Sequence, residues 1–160
     1  MAVDMFLNLD GIKGESQDDK HKGEIDIESF SWGLSQTGSA NRGTGLGTGK
    51  VDIADITIVK KVDKSSPTIQ LACCNGKHIA KGKITLRKAG ENPLDYFTVD
   101  MENVLISSYQ VSGSNGSETP SESVSINFVK IKTEYWTQSD KGAKGENANF
   151  SWDLAQNKKF

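Results

Sequence analysis

The chain has 160 residues, with 19 basic and 21 acidic side chains and a formal net charge of −2 at pH 7. This length suits one domain over residues 1–160, and the near balance of charge excludes the electrostatic attraction on which most nucleic-acid and anionic-membrane binding depends. No segment approaches about 18 consecutive apolar residues, so we expect no membrane insertion. The N-terminus, MAVDMFLNLDGIKGES, lacks the basic region of a Sec signal peptide.

Alternating apolar and polar residues predict short β-strands from the beginning of the chain. The first is MFLNLDGI. In the second, EIDIESFSWGLSQTG, the apolar side switches near Glu28 and Ser29, which predicts a bend. Beyond it, Phe30, Trp32 and Leu34 are predicted to face the core. The outward side carries only small or polar residues: Ser29, Ser31, Gly33 and Ser35.

Residues 38–51, GSANRGTGLGTGKV, contain five glycines and raise the question of a phosphate-binding loop. A Walker A loop requires glycine where Thr44 stands and a hydroxyl where Val51 stands, and G-x-G-x-x-G fails in every frame. The VDIADITIV segment that follows favours a strand, so no helix N-terminus is available for an anion. The segment is therefore either a long flexible loop or a loop that becomes ordered against another chain.

The second half of the chain continues the β pattern. VDIADITIVKKV changes face near Ala54, which predicts another bend. One short helix is predicted, with Ser65 or Ser66 as N-cap, Pro67 at its first position and Asn75-Gly76 at its end. After it come a strand pair around the turn at residues 90–93, one strand in SVSINFVKIKTEYWTQ, and a last strand in NFSWDLAQN.

About eight strands and one helix, without regular alternation, predict a mainly β protein. We expect a single small antiparallel β-barrel of two packed sheets, with one short flanking α-helix and an extended loop. Three strand segments carry apolar residues on both faces: VDIADITIV, LDYFTVDM and NFVKIK. Oligomerisation explains this pattern, because association buries patches of the second face.

Residues with catalytic chemistry are scattered. His21 and His78 lie outside metal-binding spacings such as H-E-x-x-H, and there is no G-x-S-x-G motif. The adjacent Cys73 and Cys74 would form a strained disulfide, so a reduced origin is favoured. A weaker enzyme hypothesis pairs Cys74 with His78, and alkylation by a thiol reagent would test it. We expect no enzyme, no metal ligands and no cofactor.

A series of short motifs runs in order through the whole chain. They are MAVDMFLNLDGIKGES, H-x-x-EIDI, SFSWG-x-SQTGS, the glycine-rich loop ending GKV, VDKSSP, CNGKHI, LRKAG and W-x-LAQN. Taken together, these motifs resemble the haemolysin-coregulated protein (Hcp) family, the tube proteins of bacterial type VI secretion. The polar stretches 112–122 and 138–149 match the family least.

The resemblance implies a structural subunit rather than an enzyme. It implies a homohexameric ring that stacks into a tube, inside a contractile sheath and below a spike protein, with secreted effectors bound in the lumen. It also implies a bacterial cytoplasmic location before assembly and export without a Sec signal. Ser29, Ser31 and Ser35 are the lumen-facing candidates. The loop between rings or subunits would contain Gly38, Asn41, Arg42, Gly43, Thr44, Gly45, Leu46, Gly47, Thr48, Gly49 and Lys50.

The alternative function is a carbohydrate- or small-ligand-binding β-sandwich, because exposed aromatic rings can stack on sugars. The chain has three tryptophans, Trp32, Trp136 and Trp152. Trp32 and Trp152 alternate with apolar neighbours, however, and this pattern favours core packing.

Overall fold

A computed structural model describes residues 3–36 and 49–160. Within these ranges there are eleven strands and one helix. The strands are β1 Val3–Leu9, β2 Ile25–Asp26, β3 Ser29–Ser31, β4 Leu34–Ser35, β5 Asp52–Ile53, β6 Ile56–Lys61, β7 Ile79–Lys88, β8 Leu94–Ser112, β9 Ser121–Asn127, β10 Lys130–Gln138 and β11 Lys144–Asp153. The helix, α1, spans Ser66–Asn75.

The strands form two antiparallel sheets that share β8. Sheet I has the order β2-β1-β7-β8-β10-β11 and uses the first half of β8. Sheet II has the order β8-β9-β6-β3 and uses the second half. Strands β4 and β5 pair as a separate two-stranded ribbon. Asn103 lies between the two halves of β8 and has a left-handed backbone conformation, with φ of 55°. Asparagine tolerates this conformation better than most residues do.

The hydrophobic core lies between the two sheets. Its fully buried members are inward-facing residues of both sheets together with Ile69 of α1: Leu7, Leu9, Ile25, Ile56, Ile58, Ile84, Val99, Met101, Val104, Val124, Ile126 and Ile131. The mainly β fold with two packed sheets and one helix is confirmed. In the described part of the chain, the sheets do not close into a barrel.

Both predicted bends are present. The second predicted strand is interrupted between β2 and β3, and strand pairing is interrupted again at Ala54, since β5 pairs with β4 and β6 pairs with β3. The helix begins and ends where its capping residues indicate, with Pro67 in the first turn and Gly76 in a left-handed conformation at φ of 63°.

Two predictions were wrong. SVSINFVKIKTEYWTQ forms two strands, β9 and β10, because the chain turns at Phe128 and Val129 and β10 joins the other sheet. Leu34 does not enter the core: its side chain is 53% exposed. It lies on the β4–β5 ribbon, which belongs to neither large sheet.

Candidate functional site

The outward side of sheet II carries two neighbouring rows of residues without an ionisable side chain, all of them polar except Val59. One row of directly paired residues crosses four strands in the order Ser31, Thr57, Ser125 and Ser108. The neighbouring row contains Ser29, Val59, Ser123 and Gln110. Paired residues on adjacent strands point to the same side of a sheet, so these eight residues share one surface. We call this surface the hydroxyl face.

The hydroxyl face contains no ionisable side chain. Ser29 and Ser31 are exposed, whereas Thr57 and Ser125 are half-buried, with 3.4 Å between their hydroxyl oxygens. Hydroxyl groups donate and accept hydrogen bonds, so such a surface can contact a polypeptide without selecting its charge. The predicted Ser35 is exposed but lies on the β4–β5 ribbon, paired with Asp52, and is not part of these rows.

The outward side of sheet I has the opposite character. One row runs Lys81, Glu102, Lys130 and Asp153, and the next runs Lys83, Asp100 and Lys132. We call these seven residues the charged face. Cations and anions alternate across the strands, an arrangement that favours cross-strand attraction. Lys130 Nζ lies 3.8 Å from Glu102 and 3.9 Å from Asp153.

Two residues of the charged face, Asp100 and Lys132, have raised pKa values. Burial raises the pKa of the half-buried Asp100 carboxyl, and this effect outweighs the attraction of Lys83. Glu134, whose Oε1 lies 2.7 Å from Lys132 Nζ, raises the pKa of that lysine by hydrogen bonding. Lys132 therefore carries its charge on this face at neutral pH.

Sheet II also holds an ion pair on its inner side. Lys60 of β6 is fully buried and pairs with Glu122 of β9. Lys60 Nζ also donates to Asp63 Oδ1 at 3.1 Å and to Ser66 Oγ at 3.3 Å. Ser66 Oγ in turn donates to Glu122 Oε1 at 2.6 Å, so the first turn of α1 is fixed to the sheet. The Tyr109 hydroxyl donates a hydrogen bond to Glu122. Burial is the larger cause of the raised pKa of Tyr109, and this hydrogen bond is the second.

Residues 13–24 form a strap over one end of sheet I. Both Arg87 terminal nitrogens donate to Asp18 at 2.6 Å, and the guanidinium lies 5.0 Å from the centre of the Phe6 ring. His21 stacks on the same ring with centroids 4.4 Å apart. The hydrogen bonds from Arg87 lower the pKa of Asp18 to about 2, and they raise that of Arg87 in turn.

Glycine is required where the strap turns back. A Cβ on Gly14 would lie 2.5 Å from the carbonyl oxygen of Glu24 and 2.7 Å from Ile25 Cα. Backbone hydrogen bonds from Gly14 to Gly23 and from Ser16 to Glu24 hold the two limbs together. The strap is thus a fixed element of the fold.

The remaining predicted site residues lie elsewhere. Gly38 to Thr48 of the predicted loop lie outside the described residues, whereas Gly49 and Lys50 are described and exposed. His78 Nδ1 is 2.8 Å from Asn103 Oδ1, a pairing that does not involve Cys74. Within residues 3–36 and 49–160, no cluster of three or more His, Cys, Asp or Glu residues could hold a metal ion.

The tryptophans are accounted for by packing. Trp32 and Trp152 pack against the core, as their alternation predicts, and Lys144 Nζ lies 4.2 Å from the centre of the Trp136 ring. No stacked set of exposed tryptophans is available for a sugar among the described residues. In the same part of the chain, no helix is long and apolar enough to cross a membrane.

Comparison with known proteins identifies the family. A family described as "Type VI secretion system effector, Hcp" matches residues 6–135. The chain is 43% identical to Protein hcp1 of Pseudomonas aeruginosa over 159 residues, which cover 98% of each chain. This chain belongs to the Hcp family. The family consists of β-rich tube proteins of type VI secretion that form oligomers.

Solved Hcp structures have the same fold as this Hcp chain. A structure described as a type six secretion system protein matches with a TM-score of 0.93 at 30% identity, covering 99% of this chain and 100% of that one. Hcp1 from Salmonella typhimurium matches with a TM-score of 0.85 at 35% identity over all of both chains.

Sequence reasoning missed most of the hydroxyl face of this Hcp chain. It identified Ser29 and Ser31, but it did not identify Thr57, Ser123 or Ser125. A signal was present, because SESVSIN places serines at every second position, the period of one strand face. Only the register shows that these serines extend the same rows.

Proposed function

We propose that this Hcp protein is a structural subunit of the type VI secretion tube. Six copies close into a ring, the rings stack, and the tube is expelled with the spike. Effectors bind inside the lumen before export. Family membership supports a structural role over catalysis, as does the position of His78 Nδ1, which lies 2.8 Å from Asn103 Oδ1.

The observation that carries this proposal is the hydroxyl face. A channel that passes many polypeptides needs a wettable surface that retains none of them by charge. Two rows of sheet II fit this requirement, since seven of their eight residues are polar and none is ionisable. We therefore assign Ser29 and Ser31 to the lumen, together with the paired Thr57, Ser123 and Ser125. Ser35 remains a candidate at the margin of this surface.

The charged face supports the same orientation. The outward sides of two packed sheets point in opposite directions. If the hydroxyl face lines the lumen, the charged face lies on the outside of the ring, where the proposed sheath surrounds the tube. The proposed loop from Gly38 to Lys50 would contact a neighbouring ring or subunit, and its glycine content supports the close approach of two backbones.

The test is a bulky substitution in the hydroxyl face, on its edge strand β3. Ser31→Trp should leave ring mass unchanged, since the Ser31 side chain would face the proposed lumen rather than a neighbouring copy. It should lower the amount of co-purified effector by at least about tenfold, a loss typical of blocking a contact. Light scattering measures the ring, at about 104 kDa for six copies of the 17.4-kDa chain.

The matched control is Ser117→Trp, which adds the same side chain to an exposed serine in the 113–120 turn. It should change neither ring mass nor effector capture. Unchanged capture by Ser31→Trp would remove the lumen assignment. A wild-type chain that stays at 17.4 kDa at every concentration would remove the ring itself.

A further inference from the structure

The two sheets leave a cleft where they fail to close. It lies between the β4–β5 ribbon and β11, at the open margin of sheet I, with a volume of about 340 Å³. We call it the seam cleft. Its lining contains five apolar or aromatic side chains, those of Leu34, Val51, Ile53, Phe150 and Trp152, together with Gly49 and the polar residues Gln36 and Asn157. Because apolar side chains predominate, the cleft suits an apolar side chain rather than an ion.

One polar group in the seam cleft is left unpaired. Trp152 Nε1 is buried and has no hydrogen-bond partner among the described residues. The indole N–H is a donor only, and a buried tryptophan ordinarily finds an acceptor. An occupant of the cleft therefore needs an oxygen as well as an apolar group. A polypeptide supplies both, through a side chain and a main-chain carbonyl.

Strand edges around the cleft point to the same kind of occupant. Within residues 3–36 and 49–160, β4 and β5 pair only with each other, whereas β11 pairs with β10 along one edge and, at Asp153, with Lys158 on the other. The β4–β5 ribbon and the outer edge of β11 before Asp153 therefore lie beside the cleft without a neighbouring strand in this part of the chain. A two-stranded ribbon such as β4–β5 is marginally stable alone. Leu34, 53% exposed on that ribbon, adds apolar surface that remains to be covered.

We infer that the seam cleft of one copy binds the next copy of this chain, an inference that rests on the proposed ring. The incoming copy inserts an apolar side chain beside Leu34 and Ile53, and one of its carbonyl oxygens accepts the Trp152 N–H. A closed ring uses heterologous contacts, in which the cleft on one copy meets a different patch on its neighbour. Because members of the family form oligomers, a second copy of the same chain is the polypeptide that is always available to fill the cleft.

The first test adds a charge to the cleft. Leu34→Asp should raise the protein concentration needed for half-maximal ring assembly by at least about tenfold, because the carboxylate would be buried in the contact. Leu34 is exposed in the single chain, so the variant should keep the circular dichroism spectrum of the wild type. Analytical ultracentrifugation over a dilution series measures the assembly.

Val3→Asp is the matched control. Val3 is 39% exposed, lies on β1 and is paired with Lys88, far along sheet I from β11. It should change the assembly midpoint by less than about threefold. An equal effect of both variants would show that any added charge weakens association, and the seam cleft would lose its role.

The second test removes only the donor. Trp152→Phe retains an aromatic ring but has no N–H, and we expect assembly to weaken about threefold to tenfold. In the wild type, hydrogen exchange of the Trp152 indole N–H should be slow in rings and fast in dilute chains. Equally slow exchange at all concentrations would show that the acceptor belongs to the same chain, residues 37–48 included, and would overturn the inference.

The outcomes also separate this inference from the proposed function. If the wild type never assembles, the proposed ring fails. If the wild type forms rings and Leu34→Asp forms them equally well, the ring stands and the seam cleft is not its contact. Assembly that requires an unrelated added protein would assign the cleft to that partner instead.

Discussion

Sheet I and sheet II place their charges on opposite sides. Sheet I carries alternating lysines and carboxylates outside and mainly apolar residues inside. Sheet II is free of charge across the hydroxyl face and holds the Lys60–Glu122 pair inside. A charge at the surface costs little and contributes little, whereas a buried charge depends on its partner. Removing one partner of an ion pair should therefore cost much more stability inside sheet II than on the outside of sheet I.

The largest expected effect comes from breaking the buried pair. Lys60→Met leaves Glu122 uncompensated in the interior, and the free energy of unfolding should fall by about 3–5 kcal/mol. Urea titration at a fixed chain concentration measures it, because association would otherwise contribute. Replacing both partners, as Lys60→Met with Glu122→Leu, should restore most of the loss. Lys132→Met on the charged face is the control and should cost far less, because the Lys132 side chain is exposed and its ion pair with Glu134 is screened by solvent. Equal losses at the two sites would abolish the contrast between the sheets.

The second prediction concerns stability in acid, at the end of sheet I that the strap covers. Because the pKa of Asp18 is lowered to about 2 by Arg87, its ionised form stabilises the fold. This contribution is complete above the ordinary carboxyl value of 3.8 and is lost as pH falls through about 2. Asp18→Asn should lower the melting temperature at pH 7 and flatten its fall in acid.

Asp19→Asn is the control for that acid effect, because Asp19 is exposed and lies next to the residue that binds Arg87. Melting curves of this variant should follow the wild type from neutral pH into acid. If Asp18→Asn kept the full acid sensitivity of the wild type, the Arg87 contact would not be its source.

The smallest effect tests the charged face itself. Burial raises the pKa of Asp100, so its ionised form slightly opposes folding at pH 7. Asp100→Asn should therefore raise the free energy of unfolding by about 0.2–0.5 kcal/mol, a small value because the side chain is only half-buried and is screened by solvent. The gain should shrink in acid, where the wild-type carboxyl is already protonated. A loss at pH 7 would show that the attraction of Lys83 outweighs burial.

The sequence predicted the local features of the fold well. The changes of apolar phase near Ser29 and Ala54 located two bends, and Pro67 and Gly76 located the ends of α1. These features are encoded within a few residues of one another. Sequence period alone thus suffices where a strand or helix determines its own conformation.

Features that depend on distant partners could not be read from one sequence. Lys60 belongs to a KK pair that suggests an exposed turn, yet it is fully buried because Glu122, 62 residues away, faces it. Leu34 continues the alternation of Phe30 and Trp32 but lies on a ribbon that pairs elsewhere. Thr57 and Ser125 join the hydroxyl face only through register. The pairing between distant strands determines where these residues lie, and the local sequence pattern does not reveal that pairing.

Strand β8 has a mechanical consequence. Its 19 residues run without a break from the pairing with β7 and β10 to the pairing with β9, through Asn103. Tension applied to one sheet is carried into the other by the covalent bonds of β8 and its three hydrogen-bonded ladders, rather than by side-chain contacts alone. A subunit built in this way can be pushed along its axis without its two layers sliding apart.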